Sequence, residues 1–173
     1  MPITGNLITK LHGVGAEIGV WHSEGAKYML DKCPDITKLY LIDPYDKAVE
    51  FNDCKLPPKG FKENGFKDAI LNAVKNTMPM SEKAWFIFAR STEAVKVIDE
   101  PLDFVYIDAN NNYDKVLEDC ETWLPKIKSG GIISGHDYNK SPDDDVSRAV
   151  DDFTNKHNLL LIEKVPDWYC YVK

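Results

Sequence analysis

Residues 102–138 read LDFVYIDANNNYDKVLEDCETWLPKIKSGGIISGHDY. The apolar run Leu102–Ile107 has strand length and ends in Asp108. Val116, Leu117, Cys120, Trp123, Leu124 and Ile127 then recur at helical spacing, with Lys126 and Lys128 expected in the last turn and Gly130-Gly131 beyond it. Ile132–Gly135 reads as a second buried strand, ending in His136-Asp137-Tyr138. A helical crossover joins two strands in parallel. Open α/β sheets bind ligands at the carboxyl ends of their strands, so Asp108 and Asp137 stand where a substrate would sit. This arrangement points to an enzyme.

Upstream the same alternation continues. Val14–Gly19 reads as a first strand, followed by a helix from near Ser23 to about Cys33, and Lys38–Ile42 as a second strand with Asp43 at its tip. Pro44–Gly60 has turn chemistry and no period, so an irregular surface excursion is expected there. Phe66, Ile70, Val74 and Thr77 fit a helix that Pro79 closes. Ala84–Ala89 reads as a third strand and Ser91–Ile98 as a short helix.

Downstream, Ser141-Pro142-Asp143-Asp144 is expected to cap a helix whose buried face is Val146, Ala149, Val150 and Phe153. Leu159–Val165 and Trp168–Val172 are strand-like runs joined only by Pro166-Asp167. That link is too short for a parallel crossover, so the last pair must be antiparallel. The predicted fold is α/β: one domain over residues 1–173, with a Rossmann-like, doubly wound, seven-stranded sheet, mostly parallel, ending in an antiparallel β-hairpin.

Composition narrows the function. At 173 residues and 43% hydrophobic, the chain is long enough to bury a substantial core. Its formal charge of −7 and lack of a basic stripe argue against holding nucleic acid through phosphates, leaving small molecules as the expected ligands. No apolar run approaches the roughly 20 residues of a membrane helix, and no secretory signal is seen, so no membrane partner is expected. Cys33, Cys54, Cys120 and Cys170 form no Cys-x-x-Cys pair and read as reduced thiols, in keeping with a cytoplasmic location.

Alternating β/α units closed by a hairpin resemble the class I S-adenosylmethionine-dependent methyltransferases, and the resemblance covers nearly the whole chain. Glu17-Ile18-Gly19-Val20-Trp21 is similar to their first motif, and residues 102–138 resemble a small subgroup, methyltransferase family 24-like, with Asp-x-x-His-x-Tyr and Gly-His-Asp-Tyr signatures. The resemblance implies methyl transfer from S-adenosylmethionine to a hydroxyl of a small molecule or sugar. It places the cofactor against Glu17, Gly19, Val20, Trp21, Ser23 and Gly25. Asp43 would accept ribose hydroxyls, Ser91 would border the adenine or cap its helix, and Asp108 would face the methionine end.

For the chemistry, Asp108, His136 and Asp137 are the catalytic candidates. In one reading Asp108 and Asp137 hold Mg²⁺ or another divalent cation that lowers the acceptor's pKa. In the other, Asp108 fixes the cofactor's amino group and Asp137 orients His136 as general base. The chain departs from its relatives' patterns twice: Asn111 stands where the subgroup signature has histidine, and Ser23 and Gly25 reverse the order usual in the first motif of catechol-type relatives. Those departures keep open a non-catalytic cofactor-binding module, while an NAD-dependent oxidoreductase fits the glycine turn but not the hairpin. N-terminal cap helices are not legible, so the excursion, the loop after Tyr138 or a partner subunit is expected to close the site.

Overall fold

A computed structural model describes residues 3, 5–46 and 65–173. The sheet has seven strands in the order β3-β2-β1-β4-β5-β7-β6. They are β1 (Gly13–Ile18), β2 (Ile36–Ile42), β3 (Ala84–Ile87), β4 (Leu102–Ile107), β5 (Ile127–Gly135), β6 (Ile162–Lys164) and β7 (Asp167–Tyr171). The first five are mutually parallel, and β7 pairs antiparallel with both β5 and β6. The expected hairpin therefore lies beside β5. The strand order reverses between β1 and β4, which makes the gap between their carboxyl ends the natural ligand crevice.

The strands' period of two sends alternate side chains to opposite faces. Ala16, Ile18, Val105, Ile107 and Ile133 pack on one side with Trp123, Val150 and Phe153. These come from α5 (Tyr113–Trp123) and α6 (Asp145–His157), joined there by α4 (Ser91–Val97). Leu39, Leu41, Phe104 and Tyr106 face the other way, against α1 (Gly5–Ile8), α2 (Glu24–Lys32) and α3 (Gly65–Thr77). Leu7, Ile8 and Leu11 are buried in this second layer, so the N-terminal segment contributes to the core, which its sequence did not reveal.

Several local expectations need correction. Helix α5 ends at Trp123; a 3₁₀ turn follows over Leu124–Lys126, and Ile127 already belongs to β5. Pro125 lacks the N–H needed to continue the α-helix, so Lys126, Lys128 and Gly130-Gly131 are not its C-terminal turn. The register shifts between Leu102 and Phe104, and Gly130 takes φ 82° in the resulting irregularity. In α3 Ala69, Ala73 and Thr77 are buried; of the expected stripe Thr77 is thus in the core and Phe66 and Ile70 pack against it partly buried, while Val74 is exposed. The α6 cap is Asp144, whose carboxylate accepts from the Ser147 N–H at 2.9 Å, while Ser141 sits in the preceding turn. Residues 47–60 of the expected excursion, and Cys54, lie outside the described residues. Cys33, Cys120 and Cys170 are buried free thiols.

Candidate active site

The β1–α2 connection forms one wall of the site. Gly19 turns it with φ 87°, and a Cβ there would lie 2.2 Å from the Asp108 carbonyl oxygen, so only glycine lets β1 and β4 end so close together. Trp21 and Ser23 then adopt φ 45° and 58°, left-handed conformations that cost about 1–2 kcal/mol each for residues bearing a Cβ. The surroundings hold them there. The Val20 and Trp21 N–H groups donate to Asp43 Oδ2 at 3.0 and 2.8 Å, and the Tyr45 N–H donates to Oδ1 at 2.8 Å. The Tyr45 hydroxyl donates to the Trp21 carbonyl, and Asn76 Nδ2 to that of His22.

Asp43 already holds this loop. Its carboxylate is buried and accepts from three backbone amides, and it is not among the cavity walls. Acid at the tip of β2 holds the loop that shapes the site.

Behind that loop lies a cavity of about 260 Å³ at the β1/β4 crevice. Glu17, Glu24 and Asp108 are among its lining residues, and no lysine or arginine is among the described ones. Gly19, Val20, Trp21 and Gly25 also line it, with Tyr106 below and Ile3 from the N-terminal segment. The Trp21 and His22 rings stack at 5.1 Å between centroids. Glu17 is almost wholly buried, and burial pushes its carboxyl well above the usual range; the Asp108 and Asp43 charges add to this, while the Ala26 N–H opposes it. Glu17 Oε2 and Ser23 Oγ are buried without a hydrogen-bond partner. An orphaned acid and hydroxyl beside the start of a helix suit the ammonium and carboxylate of an amino-acid ligand.

Across the crevice, Asp108 follows β4, while His136 and Asp137 follow β5. One ligand atom from each lies within 4.8 Å of the others. Asp137 adopts φ 59°, which lets adjacent residues turn toward one another. His136 Nδ1 is 2.9 Å from Asp137 Oδ1, and Asn111 Nδ2 donates to Asp137 Oδ2 at 2.8 Å. Asn111, where the signature has histidine, therefore still belongs to the cluster. The His136 bond keeps the Asp137 carboxyl low and raises the imidazole. Asp108 is exposed at the mouth but enclosed on its inner side; that enclosure raises its carboxyl, the His136 ring opposing and the Asp137 charge adding.

A family model described as a methyltransferase domain matches residues 16–138, well over half of the chain. The chain belongs to this methyltransferase family. No curated protein matches it by sequence. Among solved structures, an rRNA methylase from Streptococcus thermophilus is 12% identical with a TM-score of 0.61, covering 95% of this chain and 89% of that one. The O-methyltransferase NovP is 15% identical with a TM-score of 0.64, covering 95% and 74%. A Streptococcus mutans protein assigned as a methyltransferase, solved in complex with SAH, is 12% identical with a TM-score of 0.62, covering 95% and 90%. At these identities the likeness shows the fold.

The methyltransferase site does not gather every expected residue. The Ser91 hydroxyl accepts from Trp123 Nε1 at 2.8 Å and donates to Asp119; it lies off the cavity walls, and Arg90 occupies the helix-cap position. Tyr113 and Tyr138 direct their hydroxyls to Asp152 and Asp151 on α6. One buried acid escaped the sequence reading. Asp167 opens β7, and because β7 is antiparallel its first residue, not its last, arrives beside His136. Searching only the ends of strands could not find it. No helix among the described residues is long and apolar enough to cross a membrane.

Proposed function

We propose that this chain transfers the methyl group of S-adenosylmethionine to a hydroxyl of a small-molecule or sugar acceptor. The observation that carries the reading is the cavity's lining: three acidic residues and, among the described residues, no lysine or arginine, beside a cluster that can activate an acceptor. A cationic amino-acid ligand suits such walls, whereas the pyrophosphate of NAD would meet three acidic residues. The described cavity, about 260 Å³, is just below the usual range of about 300–1,000 Å³ for small-molecule sites, so it accounts for the methionine end of the donor.

The bound donor supplies an electrophilic methyl on a positively charged sulfur. The acceptor oxygen loses its proton and forms the new bond to the methyl carbon as the carbon–sulfur bond breaks, leaving a neutral thioether. The protein's task is to align the oxygen and take up its proton. Glu17, Ser23 and the start of α2 hold the donor's amino-acid end. Asp108 and Asp137 supply hard oxygen donors for a divalent cation such as Mg²⁺, which would acidify the acceptor. A metal-free reading, with His136 as base, draws on the 2.9 Å contact to Asp137.

The fold is shared with rRNA methylases as well as O-methyltransferases. A net charge of −7 and a carboxyl-lined cavity support a small acceptor over a polyanion. The test is label transfer from S-adenosylmethionine to a panel of sugars, catechols and rRNA fragments, with and without chelator. Chelator-sensitive labelling of a hydroxyl compound is expected. Labelling of RNA alone would overturn the acceptor assignment, and chelator-insensitive turnover would favour His136 as base.

A further inference from the structure

Beneath the acidic cluster lies a polar group with no part in the reading above. Asp167 is fully buried, and its Oδ1 accepts from the Tyr106 hydroxyl at 2.8 Å. The same oxygen lies 3.9 Å from His136 Nε2, an atom that is itself buried without a hydrogen-bond partner. The other ring nitrogen, Nδ1, faces Asp137. The imidazole is therefore set between two carboxylates, one exposed in the site and one under it.

A ligating histidine almost always donates its second N–H to a carboxylate, carbonyl or water, which fixes the tautomer and the ring angle. Here the nearest such carboxylate is Asp167, 3.9 Å from Nε2. We propose that Asp167 is a positioning residue that accepts a hydrogen bond from the His136 Nε2–H and so turns Nδ1 into the Asp108–Asp137 cluster as a third donor for a divalent metal. The inference rests on the metal-assisted methyl-transfer reading and extends it. It also changes the metal's class. Two carboxylates alone suit Mg²⁺ or Ca²⁺, whereas an imidazole nitrogen beside them shifts preference to Mn²⁺, Co²⁺ or Zn²⁺.

The surroundings support the orientation. The Tyr138 N–H donates to the Pro166 carbonyl at 2.8 Å, tying the hairpin turn to the loop that carries His136. Gly135 pairs with Trp168, and a Cβ on Gly135 would lie 2.8 Å from the Trp168 indole nitrogen, so the start of β7 closes tightly on the end of β5. The Tyr106 hydroxyl holds Asp167 from the other side, and Tyr106 is also a wall of the donor cavity. The gap of 3.9 Å exceeds a hydrogen bond and would have to close by a small ring rotation when metal binds.

The experiment is Mn²⁺ and Mg²⁺ binding, with S-adenosylhomocysteine binding measured alongside, in wild type and Asp167→Asn. Wild type is expected to bind Mn²⁺ more tightly than Mg²⁺. Asp167→Asn should lose about 10- to 100-fold in Mn²⁺ affinity and keep its S-adenosylhomocysteine affinity. Unchanged Mn²⁺ affinity in a folded variant, or a wild type that prefers Mg²⁺, overturns the inference and leaves the methyltransferase reading standing. Failure to bind S-adenosylhomocysteine in wild type would instead strike that reading. If Asp167→Asn does not fold, ¹⁵N imidazole spectra of wild type titrated with Zn²⁺ decide the matter. Expected is a metal-induced shift of His136 Nδ1 with Nε2 still protonated; coordination through Nε2, or no shift of either nitrogen, overturns it.

Discussion

Gly25 leaves the space that the Glu17 carboxylate fills: a Cβ on Gly25 would lie 2.3 Å from Glu17 Oε1. The departure from the usual motif order is therefore matched by an acid reaching across the first turn of α2. Gly25→Ala would gain about 1 kcal/mol in helix propensity, but the overpacking costs about 1–3 kcal/mol and displaces Glu17. The net expectation is a modest loss of stability and at least a tenfold loss of S-adenosylhomocysteine affinity, read by calorimetry. Unchanged affinity would show that Glu17 does not meet the ligand.

Asp43 separates a loop-holding role from a ribose-binding one. Its three amide partners predict that Asp43→Ala lowers the melting temperature of the ligand-free protein, with a cost of about 3 kcal/mol or more. Asp43→Asn, which keeps an acceptor oxygen, should recover part of it. If Asp43→Ala melts like wild type and only ligand affinity falls, the carboxylate serves the ligand and not the loop.

The cap of α6 can be located by a pair of variants. Asp144→Ala is expected to cost about 1 kcal/mol and Ser141→Ala much less, because Asp144 accepts from both the N–H and the hydroxyl of Ser147. Urea denaturation measures both. Equal losses would return Ser141 to the capping position.

Asp119 carries a pH prediction. Burial pushes its carboxyl up to about 6, with the Ser91 hydroxyl working against that rise. The folded value exceeds the unfolded one of about 3.9, so the folded state holds an extra proton between them. This contribution is fully present below about pH 4, is lost as pH rises to about 6, and is flat above. Asp119→Asn should remove that slope and stabilise the protein at pH 7 by up to about 3 kcal/mol. Denaturant titrations at pH 4.5 and 7 measure it; a wild-type stability that does not fall across this interval contradicts the assignment.

The large elements were legible because each has its own period and punctuation. Leu102–Ile107 is a strand within the stated bounds, and the Pro166-Asp167 link correctly implied an antiparallel end. What escaped depends on contacts between distant segments. The Ile127 boundary is set by pairing with Leu102, the roles of Asp43 and Ser91 by amides and an indole from other elements. Asp108, His136 and Asp137 were visible as strand-end residues, and the structure brings them together. Asp167 was hidden because it stands at the start of its strand, which the antiparallel direction of β7 brings beside the ends of the parallel strands.

The central claim is that the carboxyl-lined crevice between β1 and β4 is built for a cationic methyl donor. Titration calorimetry of the purified chain with S-adenosylmethionine, S-adenosylhomocysteine and NAD tests it most directly. The account predicts saturable one-to-one binding of the first two, weakened by Glu17→Gln, and no binding of NAD. Binding of NAD with none of S-adenosylmethionine or its product would contradict it.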